Sequence, residues 1–83
     1  MRMGSRIVDI LVPDLGEVAE VAVVDWLVPE GAEIAEGDDL VEVESEKAAF
    51  VVPAPAGGRL QARLVDAGDR LKVGDLLGRI DAD

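Results

Sequence analysis

The sequence contains two lysines, and one of them, Lys47, stands in the stretch VEVESEKAAFVVPAP, from Val41 to Pro55, between two short apolar runs. A primary amine on an exposed turn is a nucleophile once deprotonated: it can accept an activated acyl group and keep it as an amide. Lys47 is therefore a candidate point of covalent attachment. A solvated surface lysine is the plainer explanation, and composition and position alone favour it. Lys72, in Leu71-Lys72-Val73, serves as the internal comparison and is expected only to be solvated.

The remaining composition narrows the chemistry further. With no His, Cys or Tyr, the chain lacks the commonest general base, the soft metal ligands and the strongest nucleophile. Its carboxylates lie in text such as EGDD and VEVES, where turn caps and solvated faces account for them. The chain is accordingly read as not catalytic on its own and without a metal site. Eight basic residues against eighteen acidic ones give a formal charge of -10, which repels nucleic acid and anionic membrane surfaces and favours partner proteins with basic docking surfaces. No apolar run approaches the roughly 20 residues that span a bilayer, and MRMGSRIVDI has neither a signal-peptide core nor an Arg/Ser-rich amphipathic segment. A soluble intracellular domain is expected, cytoplasmic in a bacterium or, as second choice, in a mitochondrial matrix. Residues 1–5 are read as an N-terminal tail, native or vector-derived, and residues 6–83 as one domain.

The elements that must position Lys47 are strands. RIVDILV, VAVVDWLV, DLVEVE, AAFVV, RLQARLV and LLGRI are short, β-branched and separated by Gly, Pro and Asp, and Leu40-Val41-Glu42-Val43-Glu44 alternates with period two. No segment carries a capped helical pattern. An apolar content of 49%, periodically arranged, argues against disorder despite the charge. With one Trp and one Phe, the core must be mostly aliphatic; Trp26 and Phe50 are expected to pack in it or against it.

The chain also repeats itself. Gly31-x-x-Ile34-x-x-Gly37-Asp38-x-Leu40-x-x-Val43 matches Gly68-x-x-Leu71-x-x-Gly74-Asp75-x-Leu77-x-x-Ile80 without a gap, at an offset of 37 residues. Leu27-Val28 falls on Leu64-Val65 and Val23 on Leu60 at the same offset. Two copies are too few for a solenoid, so two similar halves packed face to face are expected, with the glycines forming tight turns and Ile34 and Leu71 plugging the core. The counterpart of Lys47 falls one residue past Asp83. If a twofold axis relates the halves, the lysine turn and the C-terminus are counterparts that project from opposite ends.

In order and spacing, VPDLGE (12–17), WLVPEG (26–31), EGDDLVEVESEKA (36–48), VPAPAGG (52–58) and VGDLLGRI (73–80) together resemble a lipoyl domain of 2-oxo acid dehydrogenase complexes. The likeness extends from Ile10 to Ile80. It implies an all-β fold, a flattened β-barrel or sandwich of two four-stranded antiparallel sheets with quasi-twofold symmetry. It also implies lipoate joined to Lys47, with Glu44, Glu46 and Ala48 read by the attaching enzyme. The family's usual Asp-Lys-Ala is here Glu46-Lys47-Ala48, one methylene longer, and Glu44 keeps the acidic residue two positions before it.

The loop Asp14-Leu15-Gly16-Glu17-Val18-Ala19-Glu20, which in the family lies beside the lipoyl-lysine turn, would contribute to partner recognition, chiefly through Asp14, Leu15, Gly16 and Glu17, with Val18 standing where a second glycine often follows. Implied partners are a thiamine-diphosphate dehydrogenase, an acyltransferase core, the flavoprotein dihydrolipoyl dehydrogenase, and a lipoate ligase or lipoyl transferase. Biotin carriers resemble the same fold but usually flank their lysine with methionines, and both methionines here are near the N-terminus; biotin is the second choice. A third reading is an unmodified structural module, though such modules commonly carry a helical insertion between halves that abut here. Because Ser45-Glu46-Lys47-Ala48 contains no Gly or Asn, a type I turn is expected rather than a primed one.

Overall fold

The computed structural model describes residues 6–16 and 18–83, so the proposed tail at 1–5 and Glu17 lie outside the described residues. Eight strands follow in order: β1 (Arg6–Leu11), β2 (Glu20–Trp26), β3 (Glu33–Ile34), β4 (Asp39–Glu44), β5 (Ala49–Pro53), β6 (Gly58–Arg63), β7 (Arg70–Lys72) and β8 (Leu76–Ala82). They form two antiparallel four-stranded sheets, β1-β8-β6-β3 and β5-β4-β2-β7. Each sheet ends in open edges, so the architecture is a sandwich rather than a closed barrel. The two strands that the apolar runs did not mark, β3 and β7, are the short bridges within the two Gly-x-x-Ile/Leu-x-x-Gly-Asp units.

The 37-residue repeat is a structural twofold. It carries β2, β3 and β4 onto β6, β7 and β8, and the bulge between Val23 and Asp25 onto the bulge between Leu60 and Ala62. The sheets also match at their outer strands. Glu44↔Ala49 and Val43↔Phe50 of β4–β5 correspond to Asp81↔Ile7 and Ile80↔Val8 of β8–β1. At this edge, however, the offset is 42 residues, as from Ile7 to Ala49.

Both turn units are built alike. Gly31, Gly37, Gly68 and Gly74 have φ between 89° and 93°, a region that costs L side chains roughly 1–2 kcal/mol. Asp38 Oδ2 accepts the Ala35 N–H and Asp75 Oδ2 accepts the Lys72 N–H, each at 2.8 Å. These acidic residues are turn locks, as the sequence suggested for the carboxylates in such text.

The core is aliphatic, with Leu40, Val41, Val43, Leu60, Leu77 and Ile80 fully buried between the sheets. Ile34 is buried, Leu71 half-buried, and Trp26 and Phe50 lie half-buried against the cluster. Trp26 Nε1 donates to the Val65 carbonyl at 2.9 Å, so its one polar atom is satisfied while the ring covers Gly78. Small domains are marginally stable, and removing a buried leucine costs about 2–5 kcal/mol. Leu40→Ala is therefore expected to lower the thermal midpoint by at least about 8 °C, followed by the fluorescence of the single tryptophan.

Candidate functional site

Sequence-adjacent strands pair within one sheet at a single place among the described residues, the β4–β5 hairpin. Every other connection passes from one sheet to the other. The four residues of that hairpin loop are Ser45, Glu46, Lys47 and Ala48, so the candidate lysine occupies the one tight hairpin turn. Glu46, Lys47 and Ala48 are exposed and Ser45 is half-buried. None of the four has positive φ, in keeping with a turn that is not of the primed type.

The loop is closed from inside. The Ser45 N–H donates to the Ala48 carbonyl at 2.8 Å. Ser45 Oγ accepts the N–H groups of Lys47 at 3.1 Å and Ala48 at 3.2 Å, and lies 3.2 Å from the Ala48 carbonyl oxygen, to which its hydroxyl can donate. Sequence reasoning missed this role of Ser45; the signal was a serine at the first position of a turn, whose hydroxyl mimics backbone.

Beside the hairpin lies a cleft of about 490 Å³, lined by Val18, Ala19, Glu20, Val21, Ala22, Glu44, Ser45, Glu46, Lys47 and Arg70. β2 and β4 bring these together: Ala22 pairs with Glu44 in the ladder and with Arg70 on the other side. Arg70 Nη1 lies 3.1 Å from Glu20 Oε1, an exposed pair worth at most about 1 kcal/mol. Glu44 and Glu46 thus share the cleft with Lys47, whereas Ala48 belongs to the turn.

The loop before β2 reaches the cleft through Val18, Ala19 and Glu20. Asp14, Leu15 and Gly16, singled out from the sequence for recognition, lie upstream of that wall. There Asp14 Oδ1 accepts the Gly16 N–H at 3.0 Å and Leu15 packs against the core. Lys72 is exposed on the edge strand β7, paired with Glu20, and does not line the cleft.

The twofold gives this cleft a counterpart lined by Glu33, Ile34, Gly58, Arg59, Asp81 and Asp83. Arg6 pairs with Ala82 there, so the ends of β1 and β8 stand where the hairpin stands in the other half. β2 runs from the lysine cleft to the far end, where β3 lies beside the chain's C-terminal residues.

A two-sheet sandwich displaying one exposed lysine on its tight hairpin is the architecture of a cofactor-carrier domain. The family described as biotin-requiring enzyme, which covers biotin and lipoyl attachment domains, matches residues 8–80, and the chain belongs to that family. It is 42% identical over 77 residues, 93% of its length, to the dihydrolipoyllysine-residue acetyltransferase component of the pyruvate dehydrogenase complex of Haemophilus influenzae. It is 35% identical over 78 residues to the dihydrolipoyllysine-residue succinyltransferase component of the 2-oxoglutarate dehydrogenase complex of Cupriavidus necator, again over 93% of the chain. The chain spans only 13% and 19% of the length of these two relatives.

Among solved structures, the lipoyl domain of the 2-oxoglutarate dehydrogenase complex of Azotobacter vinelandii aligns with a TM-score of 0.70 at 28% identity, over 88% of this chain and 94% of that one. The urea carboxylase of Kluyveromyces lactis aligns with a TM-score of 0.79 over 96% of this chain and 7% of its own, at 20% identity. At that identity the likeness concerns the fold.

Proposed function

We propose that this domain carries lipoate as an amide on Lys47 and serves as the mobile carrier of a 2-oxo acid dehydrogenase complex. The observation that carries this reading is the exposed Lys47 at the tip of a hairpin closed by its own hydrogen bonds. An amide-linked arm requires that donor: a primary amine, accessible to an enzyme, on backbone of defined shape. The deprotonated Nζ of Lys47 attacks the carboxyl carbon of an acyl adenylate. The new C–N bond replaces the bond to AMP, and the amine gives up a proton. Lys47 loses its positive charge, which makes an already acidic domain one unit more negative.

The lipoyl group, when bound, supplies acyl acceptance and two-electron redox chemistry through its dithiolane. The chain's own residues hold the attachment point away from the core and present Glu20, Glu44 and Glu46 around it. Tethering to an acyltransferase core would raise the local concentration of the arm at each active site. The proposed partners are the dehydrogenase component, that core, the flavoprotein and a lipoate-attaching enzyme. The relatives named for dihydrolipoyllysine residues support lipoate. The observation on biotin's side is the family's description as biotin-requiring enzyme.

The test is acyl transfer. The lipoylated domain is incubated with a thiamine-diphosphate-dependent pyruvate or 2-oxoglutarate dehydrogenase component and the matching labelled 2-oxo acid. Label is expected on the domain from one of the two. A lipoylated domain that accepts no acyl group from either, while a known lipoyl domain does, would overturn the carrier role in these complexes.

A further inference from the structure

We infer that Ser45 is a positioning residue for attachment to Lys47, acting through the backbone of the turn; the inference rests on the attachment reading above. Glu46, Lys47 and Ala48 are exposed, so burial does little to fix their shape. Four hydrogen-bonding contacts lie within the loop, and three of them use the one hydroxyl. Ser45 Oγ accepts from Lys47 N–H and Ala48 N–H at 3.1 and 3.2 Å and donates to the Ala48 carbonyl at 3.2 Å. The fourth, Ser45 N–H to the Ala48 carbonyl at 2.8 Å, closes the base of the loop but touches neither Glu46 nor Lys47.

The direct hold on the Lys47 backbone is therefore a side chain. Without the hydroxyl, the N–H groups of Lys47 and Ala48 turn to water, and the tip samples other conformers while the β4–β5 ladder beneath it, from Glu44↔Ala49 onward, stays paired. An attaching enzyme that recognises one arrangement then finds it less often. The apparent affinity falls by the fraction of time the arrangement is lost, while the rate from the bound complex is preserved. The amine itself is unchanged, so its reaction with a small acylating reagent needs no particular turn shape.

The domain is assayed with a lipoate–protein ligase, lipoate and ATP, as wild type, Ser45→Ala and Ser45→Thr. Ser45→Ala is expected to raise KM for the domain about 10-fold with kcat within about twofold of wild type. Ser45→Thr, which keeps the oxygen, is expected to stay within about twofold in both. Acetylation of Lys47 by an N-hydroxysuccinimide ester should proceed equally in all three. Equal KM for wild type and Ser45→Ala overturns this inference alone, as does a parallel slowing with the small reagent. A wild-type domain left unmodified by the ligase, with a known lipoyl domain modified alongside, overturns the attachment reading and this inference with it.

Discussion

Lys47→Arg is expected to abolish attachment while leaving the fold intact. Arginine keeps the positive charge and most of the length, but its guanidinium stays protonated and is no acyl acceptor at neutral pH. Incorporation of labelled lipoate should fall to background. Lys47 is exposed on a loop whose internal hydrogen bonds are made by backbone groups and by Ser45, so stability should change by no more than about 0.5 kcal/mol. The corresponding shift in thermal midpoint is at most about 4 °C. Lys72→Arg is the matched control, since Lys72 lies on β7 and lines no part of the cleft. It should be modified at the wild-type rate. Incorporation into Lys47→Arg at a rate near wild type would locate the acceptor elsewhere.

The largest structural effect is expected at Gly58. This residue pairs with Ile34 on one side and Ala82 on the other, which places it in the middle of three strands. Its φ is 148°, and a Cβ built there would collide with the Asp81 carbonyl oxygen and the Ala82 Cα. Both are backbone atoms of β8, so relief requires moving a strand that also pairs with β1. Gly58→Ala is expected to cost on the order of 3–5 kcal/mol, the upper range for single substitutions and comparable to the whole stability of a small domain. Gly74→Ala provides the contrast. Gly74 has φ of 90° but open space where its Cβ would stand, so only the conformational penalty applies, about 1–2 kcal/mol. Denaturant unfolding of the two variants should separate them clearly; equal losses would mean that β8 yields at Gly58.

The course of most strands was legible because their apolar residues alternate, and the pairing of halves was legible because Gly31, Gly37, Asp38 and Leu40 recur as Gly68, Gly74, Asp75 and Leu77. Those positions are fixed by backbone angle, turn chemistry and burial, so they recur wherever the geometry does. β1 and β5 escaped the comparison. Their equivalence runs at a different offset, and their pairing partners rather than their residue types make them alike: Val8 answers to Phe50 and Asp9 to Val51.

Gly58 was visible only as part of the family-like text VPAPAGG. Its repeat counterpart is Val21, a buried strand residue, so nothing in the periodicity announces a close approach of backbones. The strands β3 and β7 are too short to alternate and show themselves only through their partners.

The site divides in the same way. Lys47 stood out because it interrupts two apolar runs, and its neighbours Glu44 and Glu46 follow from the same text. The cleft does not, since Ala22 pairs with Glu44 on one side and with Arg70 on the other, partners far from it in the sequence. The recognition loop was traced from Asp14 to Glu20 with weight on its first four residues, and it is its last three, Val18, Ala19 and Glu20, that wall the cleft together with Val21 and Ala22. Sequence order gives the loop, and only the register of β2 against β4 says which of its residues arrive beside the lysine.

The most direct measurement is the intact mass of the domain produced in cells supplied with both lipoate and biotin, followed by peptide sequencing to locate any added group. The account predicts the increment of one lipoyl group, on Lys47, together with later elution on anion exchange as that lysine's charge is lost. A biotin increment, a lipoyl group on another residue, or an unmodified chain from cells whose ligases modify a known lipoyl domain would contradict it.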